Sequence, residues 1–520
     1  MLSQLHEGRA WLRRGFSKKT NLKPKLNPDP NSSVKRVSVK VSANVQNVKM
    51  LWLGDKVYMF EILLGEHKEK KKMGKPKKTY NGTYGRLLAY AAHALAEGQN
   101  KLEPKELWRE PKDQALAWKP CADQRSWKPS GLLLLLSMSL FLVLYSLDGK
   151  NGYIMVTANG GINQQRVARC LDRCKVEHFI KYLSPDIRIV KKLPKELQSL
   201  DLEAIGSVVT DIDVMKEAKP GFYMKHILPL LLKNRVVHFL GFGNRLAFDP
   251  IPFELQRLRC RCNFHALNFV PKIQETGAIL VRRLRDSGSH LAPVDPFEID
   301  MVAHSLCYFG GGDAEKAELD AYREKHFPTL ANLTKTQKMP SPDDLRTEGL
   351  CPLSPEEAVL MLAGLGFSRK TRVFVAGANI YGGNKRLAAL TSLYPNLVTK
   401  ENVLSQTELE PFKNFSSQLA VLDFIACAAS DAFAMTDSGS QLSSLVSGYR
   451  IYYGAGKMPT IRPNKRRFSD ILLKNNTIEW KVFEQRVRKT VRQTKHVLVR
   501  PTGRSVYRYP RCKECMCNED

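Results

Sequence analysis

Three short stretches carry residue types that can hold an anion or act beside one. Asn151 to Arg166 reads NGYIMVTANGGINQQR: a β-rich run, a break at Gly160-Gly161, then a polar helix start. A strand, a glycine pair and a helix can present backbone N–H groups to an anion. Absent side chains permit close approach, and a helix N-terminus is electropositive. Asn159, Asn163 and Arg166 add side-chain donors there. The pattern is not G-x-G-x-x-G, and a glycine turn between strand and helix is more often only a turn. Further on, Ser438, Gly439 and Ser440 follow an apolar strand and open a helix. They fit a phosphate-binding turn and a capping turn equally. Asp423 and Asp431 flank a helix and a strand start, where isolated carboxylates read as caps.

The elements around these stretches alternate. The spacing predicts strands at Tyr153 to Thr157, Ile187 to Val190, within Leu202 to Asp211, at Val236 to Leu240, Val373 to Ala376 and Asp431 to Thr436. It predicts helices at Tyr84 to Ala96, Gln164 to Cys174, Tyr223 to Leu232, much of Leu255 to Leu284, Pro355 to Leu365, Lys385 to Tyr394 and Leu419 to Ala429. Strands alternating with helices, with glycine-rich turns at strand C-termini, argue for two parallel-sheet domains facing a cleft, where a nucleotide-type ligand is expected.

The chain is 520 residues long with a formal net charge of +30, and that charge sits in the ends. Residues 1–130 carry net +15 and residues 451–520 net +11, leaving +4 for 151–450. Basic ends without interleaved aromatics or a recognisable module read as solvated tails, so no nucleic-acid partner is expected. Residues 1 to about 50 read as disordered and show no signal peptide. Met50 to Leu64, interrupted by Asp55, Lys56 and Glu61, reads as a surface or partly buried helix or strand. Leu132 to Leu147 is apolar and charge-free over 16 residues. As a helix it would be about 24 Å long against a hydrocarbon core of roughly 30 Å, short for a membrane anchor. The Lys-rich segment before it would leave the N-terminus in the cytosol and the C-terminal part in the lumen. Sequons at Asn31, Asn81, Asn332, Asn414 and Asn475 fit a lumenal protein. The 11 cysteines include Cys260/Cys262 and Cys512/Cys515/Cys517. With no fourth ligand beside the last group, a disulfide-linked or unstructured tail outweighs zinc, and structural thiols outweigh metal ligation at the first.

An ordered series of blocks gives these features a common setting. VVHFLGFGNRLAFDP (Val236 to Pro250), LQRLRCRCNFHAL (Leu255 to Leu267), FEIDMVAHSLCYFGGG (Phe297 to Gly312), LCPLSPEEAVLML (Leu350 to Leu362), VFVAGANIYGG (Val373 to Gly383) and SDAFAMTDSGSQLSSLVSGYR (Ser430 to Arg450) stand in sequence. With NGYIMVTANGGINQQR they resemble the plant O-fucosyltransferase family over roughly Trp118 to Cys517. The resemblance implies a GT-B-like α/β fold of two Rossmann-like domains. It implies GDP-fucose as donor substrate, no cofactor or metal, a glycan or glycoprotein acceptor, and a Golgi membrane location with the C-terminal part lumenal. Gly160, Gly161 and Asn163 would line the cleft from the first domain; Glu298, Asp300, His304, Asp431, Ser438, Gly439 and Ser440 would face the donor from the second. An apolar-flanked histidine such as His304 is also a common core residue.

Departures from the family accompany the resemblance. The family's H-x-R-F-E motif is here Val294-Asp295-Pro296-Phe297-Glu298-Ile299-Asp300, with Pro296 in place of the arginine. Proline supplies neither charge nor an N–H. Between Arg166 and Glu177 the family's apolar helix and strand are cut short, and Gly131 to Leu147 interrupts a natural join of Ser130 to Asp148. The expected organisation is a basic region at 1–130, the apolar segment at 131–147, an incomplete first domain at 148–296, a second domain at 297–450 without its first strand, and a basic helix and tail at 451–520. The leading function is fucosyl transfer. The alternative is an inactive member or an aberrant splice product.

Overall fold

The computed structural model describes residues 36–41, 45–53, 56–61, 84–98, 118–121, 152–157, 174–210, 213–214, 218–240, 251–286, 297–337, 339–377, 380–435, 441–454, 458–491, 500 and 505–518. The apolar stretch 131–147 lies outside them. Contacts divide the chain into two units, 1–79 and 80–520. In the first, β1 (Arg36–Val41), β2 (Val45–Leu53) and β3 (Lys56–Glu61) form an antiparallel meander. Arg36 pairs with Leu51 and Val48 with Glu61. Within the stretch expected to be disordered up to residue 50, only 36–41 and 45–50 are among the described residues; there RVSVKV alternates apolar and polar residues with the period of a strand.

The second unit begins with α1 (Gly85–Ala96), whose Leu87, Ala91 and Leu95 are buried in the same cluster as residues 353–491. The short strand β4 (Trp118–Pro120) pairs with the C-terminal tail. Next, β5 (Tyr153–Thr157), β6 (Val208–Val209) and β7 (Val236–Leu240) form a parallel sheet in the order β5-β7-β6. The helix before β7 ends at Arg235 in the left-handed region, φ 63°, turning the chain into the strand. Val237, Phe239 and Val209 pack beneath Ile227 and Leu231. Ile154 and Val156, in register with Val237 and Phe239, remain 58% and 42% exposed. Among the described residues β5 has no strand on its other edge.

The expected strand Ile187 to Val190 is irregular, with both end residues exposed. Cys174, expected to close a helix, forms an antiparallel bridge with Phe269, and the rest of that helix falls outside the described residues. After it, α2 (Val176–Leu183) packs on the segment following α3 (Phe253–Arg261). That segment, Cys262–Ala266, is a π-helical turn. The His265 ring lies 2.7 Å from the Tyr452 hydroxyl, Tyr453 donates to the Phe264 carbonyl at 2.5 Å, and Tyr182 stacks on His265. The block LQRLRCRCNFHAL therefore joins the first sheet's surroundings to the second half.

The second half centres on two parallel pairs. β8 (Val373–Phe374) pairs with β9 (Leu397–Val398), and β10 (Phe433–Ala434) with β11 (Thr460–Ile461). Side chains alternate between two cores. Val373, Val375, Ala432 and Ala434 enter one with the helix Pro355–Leu365; Phe374, Ala376, Phe433 and Met435 enter the other with Pro271–Arg285 and Ser416–Ala429. Strands buried on both faces and covered by helices are the mark of a parallel α/β layer. Ser354 and Glu357 form the capping box that opens the 355–365 helix, and Gly366 closes it at φ 93°. Disulfides join Cys121 to Cys517, Cys260 to Cys515 and Cys307 to Cys351, bearing out the disulfide reading of Cys260 and of the tail. Among the described residues no group of three or more His, Cys, Asp or Glu could hold a metal, and no helix is long and apolar enough to cross a membrane.

Candidate active site

The carboxyl ends of β8 and β10 are where a parallel layer of this kind receives a ligand. β8 runs through Ala376 into Gly377, which turns at φ 101°, a conformation that favours glycine. The Gly377 N–H donates to Asp423 Oδ2 at 3.2 Å, and Lys400 Nζ donates to the same oxygen at 3.0 Å and to the Gly377 carbonyl at 3.2 Å. Asp423 comes from the 416–429 helix and Lys400 from the turn after β9; both side chains are buried. A fixed carboxylate and ammonium thus clamp both polar groups of the glycine that starts the loop. Burial pushes Asp423 up to about 7 in spite of Lys400. On Lys400 burial acts downward, but the Asp423 and Glu401 carboxylates outweigh it and hold the ammonium above its ordinary value.

The far end of the same loop reaches the remnant FEID. The Tyr381 N–H donates to the Phe297 carbonyl at 2.7 Å, and the Phe297 ring meets Phe309 edge-on at 4.7 Å. Arg386 lies over both Phe297 and Tyr381, at 5.5 and 5.9 Å from the ring centroids. Its guanidinium is held by Glu315 at 3.2 Å, Glu356 at 3.5 Å and the Phe309 carbonyl at 2.9 Å, so it serves as a structural bracket. Glu298 stands at the N-cap position of α4 (Ile299–Ser305) without a side-chain capping bond, and Asp300, in the first turn, accepts from the Tyr322 hydroxyl at 2.5 Å. That hydrogen bond, more than burial, raises the Tyr322 phenol to about 12.

Of the residues expected at the site, Glu298 and Asp300 follow Phe297, whose carbonyl is bonded to the loop after β8, and Asp300 itself meets Tyr322. His304 stands in the last turn of α4 with its ring edge-on to Phe327 at 5.6 Å, in a packing contact. Asp431 is exposed at the amino end of β10, opposite the carboxyl end, and its carbonyl accepts from Arg450 at 3.3 Å. Arg450 is 1% exposed and ties down the turn into β10 through the carbonyls of Cys427, Ala428 and Ser430. Gly160, Gly161, Asn163, Ser438, Gly439 and Ser440 lie outside the described residues. Lys400, Arg386 and Arg450 are missing from the sequence-based set. Each acts on a partner some 19 to 90 residues away, as in Lys400–Asp423 and Arg386–Phe297, and no local spacing announces such a pair.

Residues 174–453 match the family profile described as GDP-fucose protein O-fucosyltransferase. The chain belongs to that family. The O-fucosyltransferase family also supplies its similar full-length relatives. O-fucosyltransferase 15 of Arabidopsis thaliana is 82% identical over all of this chain and 83% of its own length; O-fucosyltransferase 2 of the same plant is 65% identical over all of this chain and 86% of its own. A more distant member, rhamnogalacturonan I rhamnosyltransferase 4, is 36% identical over 64% of this chain. The alignment with O-fucosyltransferase 15 runs over 581 positions against a chain of 520, so that relative carries internal residues this chain lacks.

Proposed function

We propose that this O-fucosyltransferase moves fucose from GDP-fucose to a hydroxyl of a protein or cell-wall glycan, in a GT-B-like cleft with the donor at the carboxyl ends of β8 and β10. What supports the reading most directly, beside the family match, is the bond from Tyr381 N–H to the Phe297 carbonyl. It holds the surviving part of the donor motif against the loop that leaves β8. Transfer requires the glycosidic C–O bond to the diphosphate to break while the acceptor oxygen bonds to the same carbon and loses its proton. The leaving diphosphate then needs positive charge and N–H donors fixed in advance. The Asp423–Lys400 clamp occupies both polar groups of Gly377 and so fixes the start of the loop that leaves β8, without itself offering a donor to the diphosphate. The reading includes GDP-fucose as a substrate and no resident metal or cofactor.

Purified chain incubated with GDP-fucose and glycan or protein acceptors should release GDP and label the acceptor. A chain that neither binds GDP nor transfers fucose, under conditions where O-fucosyltransferase 15 does both, refutes the proposal and leaves the inactive alternative. A rhamnosyl nucleotide in the same assay tests the donor sugar, given the rhamnosyltransferase among the relatives.

The proposed setting is the Golgi membrane with the catalytic part in the lumen. Disulfides such as Cys121–Cys517, Cys260–Cys515 and Cys307–Cys351 suit an oxidising compartment. Of the sequons, Asn332 and Asn414 are exposed, whereas Asn475 is 7% exposed. Expressed in plant cells, the chain should therefore lose mass on glycosidase treatment, less so in the Asn332→Gln and Asn414→Gln variants. Unmodified Asn332 and Asn414 would count against a lumenal location.

A further inference from the structure

Transfer must also dispose of the acceptor's proton. On the donor side Asp300 is already bonded to Tyr322, and a carboxylate beside Phe297 shares the sign of the leaving diphosphate. The first sheet carries a histidine instead. VVHFL is apolar except at His238, in the central strand β7. Alternation sends Val237 and Phe239 into the core with Ile227 and Leu231, and His238 to the opposite face. There it stands level with Met155 of β5 and Val208 of β6. Its ring does not stay at that level: Nε2 lies 2.8 Å from Oγ1 of Thr157, which ends β5 and is level with Leu240. The imidazole therefore leans along the strands towards their carboxyl ends, where a parallel sheet receives a ligand. It is half-buried, and its Nδ1 has no hydrogen-bond partner among the described residues. In the sequence Thr157 immediately precedes ANGGINQQR. A histidine oriented through one ring nitrogen and open on the other is the arrangement that general-base catalysis uses.

We propose that His238 is the general base of transfer, with Thr157 as its positioning residue. This rests on the donor reading above and puts the acceptor hydroxyl at the carboxyl end of the first sheet. With the Nε2 proton directed at Thr157 Oγ1, Nδ1 carries the lone pair. The acceptor oxygen bonds to the anomeric carbon of fucose, and the bond from that carbon to the diphosphate breaks with its electron pair going to GDP. The acceptor's proton passes to Nδ1, from which solvent later removes it.

The test uses two nucleophiles that differ in whether they bring a proton. Water must lose one as it attacks; azide anion has none to lose. The full chain, His238→Ala, His238→Gln, Thr157→Val and Thr157→Ser are incubated with GDP-fucose alone and with added sodium azide. Released GDP, fucose and fucosyl azide are measured, and GDP affinity is taken by calorimetry. Both His238 variants should release fucose about 100-fold more slowly than the parent, yet form fucosyl azide within about threefold of it and bind GDP within about twofold. Thr157→Val should slow the water reaction about tenfold and spare the azide reaction, and Thr157→Ser should restore it. A water reaction in both His238 variants as fast as in the parent overturns the proposal. So does equal loss of the water and azide reactions, which marks a structural role. A parent chain that neither binds GDP nor consumes GDP-fucose with either nucleophile overturns the donor reading together with the proposal.

Discussion

The Asp423–Lys400 clamp makes a prediction that links a buried charge pair to the loop it holds. Lys400→Met leaves a carboxylate, 2% exposed, with the Gly377 N–H as its described hydrogen-bond donor. Asp423→Asn leaves Lys400 the half-exposed Glu401 at 3.0 Å. Breaking a buried pair by removing one partner costs about 3–5 kcal/mol, so Lys400→Met should fall in that range and Asp423→Asn near its lower end. The double variant should cost less than the sum by about 1–3 kcal/mol. Urea unfolding at pH 8 with disulfides intact measures all four proteins. The pH dependence then supplies a sign. Burial raises Asp423 from 3.8 to about 7, so through that interval the folded state holds a proton the unfolded state has released. The contribution of this group is greatest below the unfolded pKa, declines as pH rises to about 7, and is level above it. At pH 5.5 Asp423 is protonated, Asp423→Asn should cost under about 1 kcal/mol, and the coupling to Lys400→Met should shrink with it. Additivity within about 0.5 kcal/mol at pH 8, or equal coupling at both pH values, refutes the clamp as an electrostatic unit.

Three further outcomes follow from other contacts. Tyr84 donates to Glu357 Oε1 at 2.6 Å, joining α1 to the capping box of the 355–365 helix, so Tyr84→Phe should lower stability by about 1–2 kcal/mol in the same unfolding measurement. Gly448→Ala places a methyl against the Tyr507 carbonyl; the tail should shift and the buried Cys512 should react faster with a thiol reagent, which an unaltered labelling rate would disprove. Paired replacement Cys307→Ser with Cys351→Ser opens a 44-residue span that ties α4 to the segment before the 355–365 helix. It should cost about 3–4 kcal/mol by the chain-entropy argument, read as a lower urea midpoint.

How much of this was legible in the chain depends on the range over which each feature acts. Val236–Leu240 and Pro355–Leu365 match their predicted limits, because a continuous apolar run bounded by Gly241 and a Ser-Pro-Glu-Glu start are local signals. The strand at 36–41 was equally local, and its alternation was outweighed by the basic, Pro- and Asn-rich composition around it. Ile187 to Val190 shows the converse: four residues of suitable type remain irregular and exposed, since local residue type alone does not pair a strand. Asp423 shows the limit most plainly. Alone in the sequence it is an acid inside an apolar helix, fit for a cap; paired with Lys400 it holds Gly377 and so shapes the site. Its role comes from folding two distant segments onto one strand end. The excess charge at the C-terminal end was read as a solvated tail, and the structure turns part of it inward, against the helix Gln441–Tyr453 beside the carboxyl end of β10.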